Sequence, residues 1–195
     1  MTPIDFFQFY GSIHSYLSVM RITKLAAGAG VIVRWRPFNL REILIEQNNT
    51  DFVKNPVKMS YFWRDIERRA KKLGIKFRGP APYPADPDLV ALRTGIVAAQ
   101  QGWCESYSVA TFKAWFLDQR PPGRDNNVAD ILAGLGKNAQ EILALAVSDE
   151  TAARLKAETQ AARNLGIFGS PSFAVGKEIF WGDDRLDDAM AVAAR

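Results

Sequence analysis

The 195-residue chain has 25 Lys and Arg against 21 Asp and Glu, one His, one Cys and 48% hydrophobic residues. One Cys excludes an internal disulfide and a Cys-x-x-Cys redox pair, and one His beside one Cys leaves too few N and S ligands for a zinc site of that type. A Ser-His-Asp triad has only His14 to draw on, so any chemistry comes from hydroxyls, amides and charges, or from a bound group.

The alternating aromatic run over residues 4–10 predicts a strand, broken by Gly11-Ser12. Apolar residues at Ile13, Tyr16, Leu17, Met20 and Leu25 predict a helix over 13–27 that ends at Gly28-Ala29-Gly30. Residues 31–38 read as a second strand, which gives a βαβ unit. A short helix over 41–47 and a polar break, Asn48-Asn49-Thr50-Asp51, follow. A strong helix is predicted over 56–74, with Tyr61, Phe62, Ile66 and Leu73 near one face. Residues 79–87 hold too much Pro for regular structure.

Five helices are predicted over 89–102, 107–119, 128–135, 139–147 and 151–165, the last capped from Ser148-Asp149. Strand character returns in SFAV and EIFW, which flank Gly176-Lys177 as a hairpin. Gly182-Asp183-Asp184 leads into a last helix over 185–194. The order predicts an α/β fold, a thioredoxin-like βαβ…ββα core with a large all-α insertion. Residues 1–40 and 165–195 form the core domain in this reading, and 41–164 the helical insertion.

Two places offer chemistry. The first is Ser12-Ile13-His14-Ser15, between the first strand and the first helix, where ligands of α/β sheets gather. A helix N-terminus presents unpaired N–H groups that favour an anion such as a thiolate, and a Ser hydroxyl adds a donor. Ser12 as a plain N-cap is the alternative, and position alone leaves both open. The second is Phe168-Gly169-Ser170-Pro171-Ser172-Phe173, where Pro171 is a candidate cis peptide at a strand mouth. That geometry would leave the Ser170 N–H and C=O free for a peptide-like ligand; a trans-Pro at a strand start is the alternative.

Other features have plainer readings. Between Lys54 and Arg78 lie nine basic residues and two acids. This is the pattern of an exposed amphipathic face, with a nucleic-acid groove or attraction of a small anionic ligand as alternatives. Cys104 is expected to be a small buried hydrophobe, and Trp63, Trp103, Trp115 and Phe116 to be core. His14 is expected to point sideways into packing or solvent, with proton transfer near a bound sulfur as the alternative, and Tyr61 and Arg68, at i and i+7 on the central helix, to support the site rather than act in it. The start lacks a basic leader, and no apolar run approaches the roughly 18 residues of a membrane span. A cytoplasmic location without membrane or nucleic-acid partners is therefore expected.

Three segments carry a more specific signal: FFQFYGSIHSYL, NTDFVKNPVKMSYFWRDIERRAKKLGI and GIFGSPSFAVGKEIFWGDDRLDDA. Together they resemble the 2-hydroxychromene-2-carboxylate isomerase family, DsbA-like relatives of kappa-class glutathione transferases, over essentially the whole chain. The resemblance implies glutathione as cofactor, a small anionic aromatic substrate, a homodimer, and cis-trans isomerisation through transient thiolate addition in aromatic-compound degradation. It implies that the Ser12 hydroxyl bonds the glutathione sulfur, and that Asn49 (or its neighbour Asn48) and Lys58 serve catalysis. Ser170 and Pro171 would pair with the cysteinyl part, and Asp183 and Asp184 would hold the γ-glutamyl group. A kappa-like transferase or peroxidase, or a non-catalytic thiol- or peptide-binding protein, is the competing implication. Here Ile13 replaces the family Pro, His14 an aromatic residue, and Tyr10-Gly11 precede Ser12 where one residue is usual.

Overall fold

The computed structural model describes residues 1–49, 55–124 and 126–195. Thr50 and Asp51 of the polar break and Lys54 of the basic stretch lie outside the described residues.

The sheet joins the two ends of the chain. β1 (Ile4–Gln8) is an inner strand, and every residue in it except Asp5 is buried, as in a strand covered on both faces. β2 (Val33–Pro37) lies parallel to it, with Phe6 opposite Trp35. β3 (Ser172–Val175) pairs antiparallel on its other side, with Phe6 opposite Phe173. β4 (Glu178–Trp181) completes the order β2-β1-β3-β4. The Phe6 ring meets Trp35 and Phe173 at centroid distances of 5.0 and 5.2 Å, so one aromatic row crosses three strands. Gly176 takes φ +62° in the tight β3–β4 turn, which explains a glycine there.

The helix predicted over 13–27 is two helices, α1 (Ser15–Val19) and α2 (Ile22–Ala29). The break falls at Met20-Arg21, where Arg21 has φ −131°. The Arg21 guanidinium donates to Asp183, through Nε to Oδ1 at 3.3 Å and through Nη2 to the backbone oxygen at 2.6 Å. Ser18 adds a bond to the same carboxylate at 3.1 Å. The kink therefore follows a partner 162 residues away, which apolar periodicity does not register.

α3 (Leu40–Glu46) leads toward α4 (Pro56–Leu73). Pro56 opens α4 with its preset φ, the Asn55 side chain accepts from Lys58 N at 3.0 Å, and Gly74 closes the helix at φ +67°. Arg64, Arg68, Lys71 and Lys72 are exposed along it. Next come α5 (Val90–Gln100), α6 (Cys104–Asp118), α7 (Asn127–Gly134), α8 (Ala139–Ala146) and α9 (Asp149–Asn164). Ser148 caps α9 as expected, accepting from Thr151 N at 3.2 Å. After β4 a short 3-10 turn, Asp183–Arg185, precedes α10 (Leu186–Ala193). No helix among the described residues is long and apolar enough to cross a membrane.

An aromatic seam fixes the segment after β1. Tyr10, Tyr16, Tyr107, Phe112, Trp115 and Phe116 are all fully buried. Tyr16 stacks on Phe116 at 4.4 Å and Tyr10 meets Tyr107 at 5.5 Å. Each such ring stabilises the fold by about 1.5–3 kcal/mol through burial. The Tyr10 hydroxyl shares a 2.9 Å hydrogen bond with Ser108 Oγ, and a methyl group on Gly95 would overlap the Tyr10 ring. The loop carrying Ser12 thus runs between two anchored tyrosines.

Candidate active site

A cleft of about 1410 Å³ opens where the chain leaves β1. Its walls come from the loop after β1, α3, α4, the Pro-rich segment at 83–87, and the turns on either side of the β3–β4 hairpin. Ser12, Asn49, Lys58, Ser170, Pro171, Asp183 and Asp184 all line this one cleft.

The Ser170–Pro171 peptide is cis. Ser12 Oγ donates to the Ser170 carbonyl at 2.7 Å and accepts from Ser15 N at 3.3 Å. The N-cap of α1 is His14, so Ser12 is not the helix cap; its hydroxyl accepts from the first residue of α1 while its proton faces the cis-Pro turn. The Ser170 carbonyl, expected to be free, is occupied, because the nearby Ser12 proton takes it as acceptor. The Ser170 N–H has no acceptor among the described residues. Ser170 Oγ accepts from Phe9 N at 3.0 Å and shares a 2.8 Å bond with Ser15 Oγ. Ser12 and Ser15 thus hold the two ends of an x-x spacing and both bond Ser170.

The acidic pair divides its work. The Asp183 side chain is fully buried and accepts from Ser18, Arg21 and, at 2.6 Å, from Arg69 Nη2. It ties α1, the α1–α2 break and α4 to the 3-10 turn. Asp184 is 51% exposed, and its one salt bridge among the described residues is to the Arg185 guanidinium, at 3.3 Å. Of the two carboxylates, Asp184 is the one open to a ligand. Gly182 sets their position: its φ is +103°, which side-chain-bearing residues rarely adopt, and its N–H donates to Pro171 O at 2.9 Å.

Asn49 follows the last turn of α3, with its N–H on Leu44 O at 2.8 Å; Asn48 does not line the cleft. Lys58 is exposed in the first turn of α4. Lys58, Phe62, Asp65 and Arg69 succeed one another at intervals of four, three and four, which puts them on one helical face toward the cleft. That spacing was the available signal for Asp65 and Arg69. Of the two residues expected to support the site, Tyr61 lines the cleft, whereas Arg68 is exposed and outside it.

His14 does not turn aside into packing; it lines the cleft two residues from Ser12. Its ring meets Phe62 edge-on at 5.5 Å, and Nε2 lies 3.9 Å from Asp65 Oδ2. Burial lowers its pKa below the ordinary histidine value; Asp65, Asp183 and Asp184 pull the other way, and Arg69 adds to the lowering. Trp181, half exposed, meets Phe168 at 4.9 Å at the rim, and a methyl on Gly169 would overlap its indole. Cys104 is buried and does not line the cleft, and burial pushes its thiol up to about 12.

Residues 3–191 match the family described as a DSBA-like thioredoxin domain. A 2-hydroxychromene-2-carboxylate isomerase of Sphingobium xenophagum is 30% identical over 190 residues, covering 94% of each chain. The chain belongs to the 2-hydroxychromene-2-carboxylate isomerase family. A second member, from Pseudomonas sp. strain C18, is 29% identical over 192 residues, spanning 94% of this chain and 86% of its own. A solved 2-hydroxychromene-2-carboxylate isomerase superposes with a TM-score of 0.84 at 25% identity, over 97% of this chain and 93% of that one. In this isomerase-family chain the thioredoxin-like core expected from the element order is present, with its helices inserted between β2 and β3.

Proposed function

We propose that this protein is a glutathione-dependent isomerase of 2-hydroxychromene-2-carboxylate or a closely similar aromatic carboxylate. The reading rests on one observation above all: Ser12, the cis Ser170–Pro171 turn and the open Asp184 converge on a single cleft in an isomerase-family chain.

The cleft residues fit glutathione. The Ser170 N–H has no acceptor among the described residues and suits the carbonyl of a peptide-like ligand. Asp184 suits the γ-glutamyl ammonium. Ser12 offers its proton to sulfur in place of the Ser170 carbonyl. Bound glutathione supplies the thiolate that adds reversibly to the conjugated substrate. The chain's own thiol is unsuited to that task, because Cys104 is buried and pushed up to about 12. Asn49 orients substrate oxygens, and Lys58 draws the anionic substrate toward the cleft.

The test is turnover of 2-hydroxychromene-2-carboxylate with glutathione, with S-methylglutathione and with neither. Turnover that requires the free thiol is expected. Equal turnover without glutathione would remove the thiol from the account, and no turnover under any condition would remove the isomerase.

A further inference from the structure

We infer that Arg41 is the residue that recognises the substrate's carboxylate, and so selects planar aromatic carboxylates over their uncharged analogues. This rests on the cleft being the substrate site, as proposed above.

Three arginines line the cleft besides the lysine at its edge. Arg69 is neutralised by Asp183, and Arg185 by Asp184 and Asp188. Arg41 differs. Its partners are two backbone carbonyls, Pro87 O at 2.8 Å from Nη1 and Asp86 O at 2.9 Å from Nη2. The Asp86 carboxylate is turned the other way, accepting from Ala91 N at 3.2 Å and Leu92 N at 2.9 Å. Arg41 therefore makes no salt bridge among the described residues; the Asp86 carboxylate acts on it only through space, and the part-buried guanidinium keeps donors to spare.

A guanidinium has five N–H donors. The two carbonyls occupy two of them and fix the plane of the group. A carboxylate needs two more, and the remaining donors supply them in a preset orientation. The guanidinium also stands over the Phe9 ring, 6.0 Å from its centroid. Gly11, the neighbour of Ser12, packs against the same ring: a methyl there would come within 2.6 Å of Phe9 Cε1. Phe9 thus connects the cation to the loop that presents Ser12. Leu40 and Leu44 extend the apolar wall on the α3 side. An apolar wall beside a guanidinium that carbonyls hold in place, without a salt bridge among the described residues, suits a planar ring bearing a carboxylate.

The probes are chromone-2-carboxylate and its uncharged primary amide, titrated without glutathione and followed by intrinsic tryptophan fluorescence with calorimetry as a check. The wild type is expected to bind the carboxylate about 10- to 100-fold more tightly than the amide, the range for a charge-assisted hydrogen-bonded pair. Arg41→Met should bring the carboxylate down to the amide's affinity and leave the amide unchanged, and Arg41→Lys should retain part of the preference. Equal affinities in the wild type, or binding of neither probe, would overturn the inference. So would a parallel loss of both probes in Arg41→Met, which marks a role in holding the 86–87 segment alone. If Arg41→Met does not fold, the wild-type ratio and Arg41→Lys decide. Carboxylate preference without isomerase turnover would leave this inference standing and refute the proposed activity.

Discussion

The Ser12 hydroxyl donates to the Ser170 carbonyl at 2.7 Å, joining positions 158 residues apart. One hydroxyl carries one proton, so a ligand sulfur that takes it competes with this bond. Ser12→Ala is expected to lower kcat on the order of 100-fold, as for loss of one preorganised donor. The cost in stability should be only about 1–2 kcal/mol, for two side-chain hydrogen bonds. Steady-state kinetics and urea denaturation check both; an unchanged kcat would remove Ser12 from its role.

Asp183 and Asp184, adjacent in sequence, are expected to respond oppositely. Asp183→Ala leaves Arg21 and Arg69 facing an empty buried position and should cost about 3–5 kcal/mol in urea unfolding. Asp184→Ala should change stability by less than about 0.5 kcal/mol, because its one pairing is exposed. It should instead weaken glutathione binding by calorimetry. A stable Asp183→Ala protein, or an unaltered glutathione Kd in Asp184→Ala, would contradict the division.

The ligand-facing role of Asp184 was legible from the resemblance, but the burial of Asp183 against Arg21 and Arg69 was not, because both partners are distant in sequence. Local patterns were legible: the β3–β4 hairpin came from two short strands about a Gly-Lys turn, and the bounds of β3 and β4 matched SFAV and EIFW. Pro171 and Ser12 were legible as punctuation between elements. What escaped depended on distant partners. The break at Arg21 answers to Asp183, the cleft position of His14 to Phe62 and Asp65, and the placement of the Arg41 guanidinium to carbonyls in a Pro-rich segment with no pattern of its own.

His14 gives stability a pH dependence of defined sign. Its pKa is lowered in the folded chain, chiefly by burial. As pH falls through about 6.5, the unfolded chain binds a proton that the folded chain still refuses. Stability should fall from there down to the folded pKa and be insensitive to this group at higher pH. His14→Asn should flatten that part of the profile. The chain has a single histidine, so its imidazole resonances can be titrated without assignment. A midpoint at or above about 6.5 would contradict the burial argument.

Cys104 is expected to be chemically silent. It is buried, its sulfur lies 3.9 Å from the Tyr10 hydroxyl and 3.8 Å from Ser108 Oγ, and its thiol is pushed up to about 12. A thiol reagent should label it only on unfolding, and Cys104→Ala should keep the glutathione dependence of turnover. Rapid labelling of the native protein with loss of activity would transfer the working thiol from the bound ligand to the chain.

In the proposed reaction Ser12 holds a borrowed thiol as thiolate. The most direct measurement is an ultraviolet titration of the thiolate of bound glutathione in the wild type and in Ser12→Ala. Free thiols titrate near about 8.5. The bound thiol should titrate well below that in the wild type and move back up in Ser12→Ala. A bound thiol that titrates like free glutathione, or identically in the two proteins, would contradict the claim.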